Sequence, residues 1–359
     1  MLRSRRSPAV HVFLTFLILI IGVSLSSPQD VQMVPDQQDQ DSATKAQSPK
    51  KEDDQEPVTT FKARSDLVQQ FFNVKGKNGG LIGGLTKDDF DVLENGKPQT
   101  IKFFTANTDL PLTLGILIDT SLSQQNVLGM EQLAGGAFLS QVLKEKDQAF
   151  VMDFNVHVSL VQDFTGSVRR LKDALNSVRI NTDGQGAVSS IPGMGGGPVP
   201  TMNRNKGTLL YDAVVLASHD QMGQQVDRKA LIILTDGEDF GSEYKIKDAV
   251  EAAQKADTIV YVVLCADRQA YFSHGMIYTG SSEMKKLTAE TGGRAIDVGD
   301  NAQKLKAAFQ QISDELRSQY NIGYVPTNTK RDGTFRKVEI KPKQDYKIQT
   351  RSGYFAIAE

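Results

Sequence analysis

Through the middle of this chain, uninterrupted apolar runs alternate with stretches whose apolar residues recur at helical spacing. Residues 112–118, 230–234 and 259–264 are continuous apolar runs of strand length, and 149–154 with 156–161 reads as a tight strand pair. Helical spacing covers 130–144, 168–178, 209–217 and 246–256. Another helix ends at Gly292-Gly293 before a strand at 295–298, and a long one runs over 302–318. A strand that is apolar at every position needs cover on both faces, and the intervening helices supply it. The predicted fold class is α/β: a doubly wound, mainly parallel, Rossmann-like sheet.

The flanks follow a different period. Before the apolar middle, residues 59–63, 67–72 and 90–93 read as short strands, and Asn95-Gly96 predicts a type I′ hairpin turn into 100–104. After it, 320–325, 334–340 and 346–350 read as strands again. Neither flank is large enough for a core of its own, so the two are expected to pair into one smaller antiparallel β domain. The expected organisation is a signal peptide at 1–27, a linker at 28–57, β domain at 58–107 and 319–359, and the α/β domain at 108–318.

Composition changes this picture mainly at the N-terminus. Arg3, Arg5 and Arg6 precede an apolar run at 12–23 and then Ser24, Ser26 and Ser27, the order of a secretory signal peptide. An uncleaved membrane anchor is the other reading of this segment, although the run is short for a span. Residues 28–57 are rich in Gln, Asp, Ser and Lys and lack aromatics, the composition of an unstructured spacer. The expectation is an extracytoplasmic protein: periplasmic, surface-bound or secreted. A net charge of −2 offers no basic field for nucleic acid. The single cysteine, Cys265, cannot form an internal disulfide, and its apolar context suggests a core residue.

The candidate chemistry sits at strand ends. Asp119 closes the first apolar strand, and Ser121 and Ser123 follow at alternate positions, so their hydroxyls can face the same point. Thr208 opens a helix, and Asp236 follows the strand at 230–234. In an open α/β sheet these places lie on the carboxyl edge, where ligands bind. Two carboxylates and three hydroxyls form a set of hard oxygen donors suited to Mg²⁺, with Mn²⁺ or Ca²⁺ as alternatives. Helix capping by Asp and Ser is the structural alternative for the loop taken alone. Glu238 and Asp239 read as a solvated loop end. His11, His157, His219 and His274 have no ligand spacing, and no phosphate-binding loop is present. Residues 181–207 form a long loop rich in Gly, Pro, Ser and Asn that leads into Thr208.

The five donors resemble the metal-ion-dependent adhesion site of von Willebrand factor A domains, Asp-x-Ser-x-Ser with a distant Thr and a distant Asp. Leu122 stands where that pattern often has Gly. The flanking segments 85–98 and 320–354 resemble a bacterial group of von Willebrand factor A-related proteins. The resemblance implies a non-enzymatic binding module whose metal accepts an Asp or Glu of a protein partner. Two other functions stay open: a metal-dependent hydrolase or phosphatase, and an envelope component that the metal merely stabilises. For the phosphatase reading, Ser121 occupies the place where a second Asp is needed.

Overall fold

The computed structural model describes residues 67–106, 110–181, 207–226, 228–267 and 280–358. Short strands come first: β1 (Val68–Lys75), β2 (Phe90–Glu94), β3 (Lys97–Gln99) and β4 (Ile101–Ala106). The middle runs β5 (Leu112–Asp119), α1 (Leu128–Val142), β6 (Gln148–Phe154), β7 (Val158–Thr165), α2 (Val168–Ser177) and α3 (Leu210–Leu216). It continues through β8 (Arg228–Thr235), α4 (Ile246–Lys255), β9 (Thr258–Leu264), α5 (Ser281–Thr291), β10 (Ala295–Asp297) and α6 (Ala302–Arg317). The chain closes with β11 (Tyr320–Tyr324), β12 (Phe335–Pro342), β13 (Lys347–Thr350) and β14 (Gly353–Phe355). The expected signal peptide, the linker, the strand at 59–63 and the loop at 182–206 lie outside the described residues.

The middle strands form a six-stranded sheet in the order β10-β9-β8-β5-β6-β7. All neighbours are parallel except β7, which returns antiparallel along the edge of β6. Successive side chains of a strand point to opposite faces. Leu114, Ile116 and Ile118 of β5 accordingly enter one apolar layer with α1, α2 and α6, while Leu117 enters the other with α3, α4 and α5. The same alternation splits β8, with Ala230, Ile232 and Leu234 on one side and Leu231 and Ile233 on the other. Burial on both faces is why these strands are apolar through their middles. Helix ends follow local chemistry: Asn301 accepts the Lys304 N–H at 2.9 Å to open α6, and Gly292, at φ 88°, closes α5.

The flanking strands build two four-stranded sheets, β13-β1-β11-β4 and β14-β12-β2-β3, each mixing strands from both flanks. Their inner faces share one core in which Phe72 packs edge-on to Phe90 at 5.2 Å and stacks on Tyr320 at 5.4 Å. The hairpin differs from the sequence expectation. Asn95 (φ 48°) and Gly96 (φ 79°) do make the turn, but the strand returning beside β2 is Lys97–Gln99. β4 then leaves for the other sheet and pairs with β11. Pro98 explains the brevity of β3: it lacks an N–H and is tolerated on an edge.

Glu315 near the end of α6 ties this unit to the α/β sheet. Its buried carboxylate accepts Lys75 Nζ of β1 at 2.8 Å and Gln349 Nε2 of β13 at 2.9 Å, and Arg294 lies 3.2 Å away. Its backbone carbonyl accepts Asn73 Nδ2 at 2.8 Å. Burial pulls the Lys75 amine below its usual value, against the pull of Glu315. Removing one partner of a buried pair leaves the other charge uncompensated. Glu315→Ala should therefore lower the unfolding free energy by about 3–5 kcal/mol in urea titrations. A loss under about 1 kcal/mol, the scale of an exposed pair, would refute this role.

Candidate functional site

The site begins where β5 runs out. Asp119 is fully buried, and the next residue is pinned: Thr120 N–H donates to the Phe154 carbonyl at 2.8 Å, and Asn155 Nδ2 donates to Thr120 Oγ1 at 2.6 Å. The chain then turns through a short 3₁₀ segment at Leu122–Gln124. This turn brings the Ser121 and Ser123 hydroxyls to 2.9 Å of each other. Ser121 N–H donates to Asp119 Oδ1 at 2.9 Å. Asp119, Ser121 and Ser123 are thus gathered at one point. Leu122, at the position between the serines, is exposed.

The second carboxylate arrives on the neighbouring strand. β8 runs parallel to β5 with Leu234 opposite Ile118, so both strands end at the same edge. Thr235 Oγ1 donates to Asp119 Oδ2 at 2.7 Å and accepts Gly237 N–H at 3.0 Å. Asp236 follows, almost fully buried, and its Oδ1 accepts the Glu238 N–H at 3.0 Å. Gly237 is required here: its φ is 85°, and an added Cβ would come within 2.8 Å of Leu264. Thr208 is held beside the same loop by a two-way backbone pairing with Phe240 at 2.9 and 3.0 Å.

Glu238 and Asp239 differ from the solvated loop end expected of them. Glu238 Oε1 accepts Gly280 N–H at 2.6 Å, and Asp239 Oδ1 accepts Tyr211 N–H at 3.1 Å and the Ser242 hydroxyl at 2.5 Å. Asp239 therefore satisfies a free N–H in the first turn of α3, from a distant loop. Asp212 Oδ1 accepts Tyr244 N–H at 3.0 Å, so it too braces the loop. Sequence reasoning missed Thr235 and Glu131. Glu131 lies on the buried stripe of α1 with Leu128, Gly135, Phe138, Leu139 and Val142. An acid at a core position of the helical period was the signal that could have found it.

No family model matches the sequence, and no curated protein matches it. Some solved structures are similar to part of it. The conserved hypothetical protein BatB from Bacteroides thetaiotaomicron has 20% identity and a TM-score of 0.42, covering 58% of this chain and 100% of that one. The von Willebrand factor domain of the type V pilus tip protein Mfa5 from Porphyromonas gingivalis has 11% identity and a TM-score of 0.42, covering 58% and 96%. Proximal thread matrix protein 1 of the mussel byssus, with a zinc-occupied MIDAS motif, has 12% identity and a TM-score of 0.43, covering 62% and 49%. Among the structures similar to this chain are von Willebrand factor A domains.

Two acidic residues share the dry edge. Burial first, and then the Asp236 carboxylate, push Asp119 up to about 7, against the donors Ser121 and Thr235. Among the described residues no cationic side chain offsets this at Asp119. Burial pushes Glu131 up to about 8, and Asp119 and Asp236 add to it. The fully buried Cys265 thiol is raised by burial and by the neighbouring Glu131. Among the described residues no three His, Cys, Asp or Glu side chains form a metal-ligating group, so ion binding at this edge would depend on hydroxyls as well as on carboxylates.

A raised folded-state value means the ion-free fold holds the Asp119 proton more tightly than the unfolded chain does. That stabilisation is complete below about pH 4, the unfolded value, and is lost as pH rises to about 7. In EDTA, wild-type stability should fall across this window by more than that of Asp119→Asn, which has no charge to form. Parallel melting curves for the two proteins across the window would contradict the assignment.

Proposed function

We propose that Asp119, Ser121, Ser123, Thr208 and Asp236 hold a divalent cation, Mg²⁺ first and Mn²⁺ or Ca²⁺ as alternatives, and that the protein is a non-enzymatic, cation-dependent binding module. The observation that carries this reading is the pairing of two buried acidic residues at one strand edge, beside clustered hydroxyls and, among the described residues, with no cationic side chain acting on Asp119. A buried charge must be paired, neutralised or bound to metal. The donors fit: all are hard oxygens, and the hydroxyls add ligands without adding charge. Such an ion keeps the ability to accept one more anionic oxygen. The partner chemistry we infer is therefore a protein Asp or Glu side chain.

An extracytoplasmic location fits the basic and apolar start of the sequence. No helix among the described residues is long and apolar enough to cross a membrane. We also infer that the two flanking sheets act as one β domain supporting the α/β domain, since their inner faces share a core.

A ligand selective for the folded state stabilises it by about 2.7 kcal/mol at a hundred times its Kd. Added Mg²⁺ or Mn²⁺ should accordingly raise the melting temperature of the wild-type protein, and Asp119→Ala should abolish the rise. Asp236→Ala and Thr208→Ala should weaken Mg²⁺ binding in calorimetric titrations. If Mg²⁺ stabilises Asp119→Ala as much as wild type, the ion is not bound here.

A further inference from the structure

The outer face of α1 lacks the charge that solvent-facing helices carry. Between Ser121 and Leu143 the only charged residue is Glu131, and it is buried. Gly129, Leu133, Ala137 and Ser140, spaced as one ridge of the helix, are all exposed, Leu133 by 77%. By contrast α2 exposes Arg170, α4 Glu251, α5 Lys286 and α6 Lys306. A helix uncharged on its outer face and apolar on its inner one is ordinarily covered on both. This face is continuous with the proposed ion site. α1 follows the 3₁₀ turn that gathers Ser121 and Ser123, and the exposed Leu122 stands between those serines. At 1.5 Å per residue, Leu133 lies about 8 Å along the axis from the start of α1. On the other flank Phe240, 60% exposed, is backbone-paired with Thr208. Its ring lies over Gly207, where an added Cβ would meet it at 3.0 Å.

We propose that Leu122, Leu133 and Phe240 are specificity-determining residues, which restrict the partner at the ion to a protein segment whose Asp or Glu is flanked by apolar side chains. This rests on the cation reading above. An ion attracts one acidic oxygen but does not discriminate among acidic partners. The apolar side chains around it do. A charged neighbour of the partner's acid would lose its water against Leu122 or Phe240 and find no counter-charge on the outer face of α1. An apolar neighbour gains by leaving water at the same place. A second copy of this chain is the poorer occupant, because an α1 face pairing with its twin brings no acidic side chain to the ion.

The test uses a phage-displayed library of random peptides of about twelve residues, roughly 40 Å long when extended. The library is panned on the full chain in MgCl₂ and eluted with EDTA. Recovered sequences should carry Asp or Glu with Leu, Ile, Val, Phe or Met beside it. In fluorescence anisotropy a recovered peptide should bind Leu133→Lys and Phe240→Lys about tenfold or more weakly than wild type. Mg²⁺ should still raise the melting temperature of both variants as it does that of wild type. Peptides with no apolar preference beside the acid, affinities that both substitutions leave unchanged, or no EDTA-eluted peptide at all would overturn the proposal, while the Mg²⁺ response keeps the cation reading intact. A dimer in sedimentation velocity that Leu133→Lys dissociates would assign the α1 face to a second copy and overturn it too. Without a Mg²⁺ response in wild type the cation reading fails, and this proposal with it.

Discussion

Parallel pairing of β5 with β8 delivers two acidic residues to one buried edge, and the surrounding structure answers that placement. Once Ile118 lies opposite Leu234, Asp119 and the Thr235-Asp236 pair leave the sheet side by side. Water cannot solvate them there, because both residues are almost completely enclosed. Neighbouring donors compensate in part, with the Ser121 backbone N–H on one Asp119 oxygen and the Thr235 side-chain hydroxyl on the other. Hydrogen-bond donors of this kind lower the cost of a buried charge without cancelling it. The remaining cost shows in the raised Asp119 value, which keeps its proton on the carboxyl to higher pH.

The loops around this edge are anchored by hydrogen bonds. Thr120 is tied to Phe154 and Asn155, so the β6–β7 turn braces the first loop. Glu238, Asp239 and Asp212 hold the loop after β8 against Gly280, Tyr211 and Tyr244. Far from this edge, the Glu315 cluster joins α6 to β1 and β13. The helix that helps cover one face of the α/β sheet is thereby fastened to the flanking sheets.

Much of this was legible in the sequence. Continuous apolar runs identified β5, β8 and β9, because the middle of a strand covered on both faces favours apolar side chains at successive positions. The Asp119, Ser121, Ser123 spacing was also legible, although a 3₁₀ turn at Leu122–Gln124, and not alternation along an extended strand, brings the two hydroxyls together. The second strand of the β2 hairpin was misjudged because Lys97–Gln99 carries no apolar pattern, while the following residues 100–104 do. Those residues belong to a strand in the other sheet, and no local period distinguishes two sheets that share a core.

What the sequence determined by itself was therefore local: element types, the positions of their ends, and the residue chemistry available at those ends. Only the tertiary structure decided which ends meet. The proximity of Asp119 to Asp236 depends on strand order, which long-range pairing sets. The burial of Glu131 beside Cys265 depends on how α1 settles onto the sheet. The bond from Thr235 to Asp119 spans two strands far apart in the chain. Charge, unlike hydrophobicity, has meaning only once its neighbours and its distance from water are known, and both are properties of the folded chain.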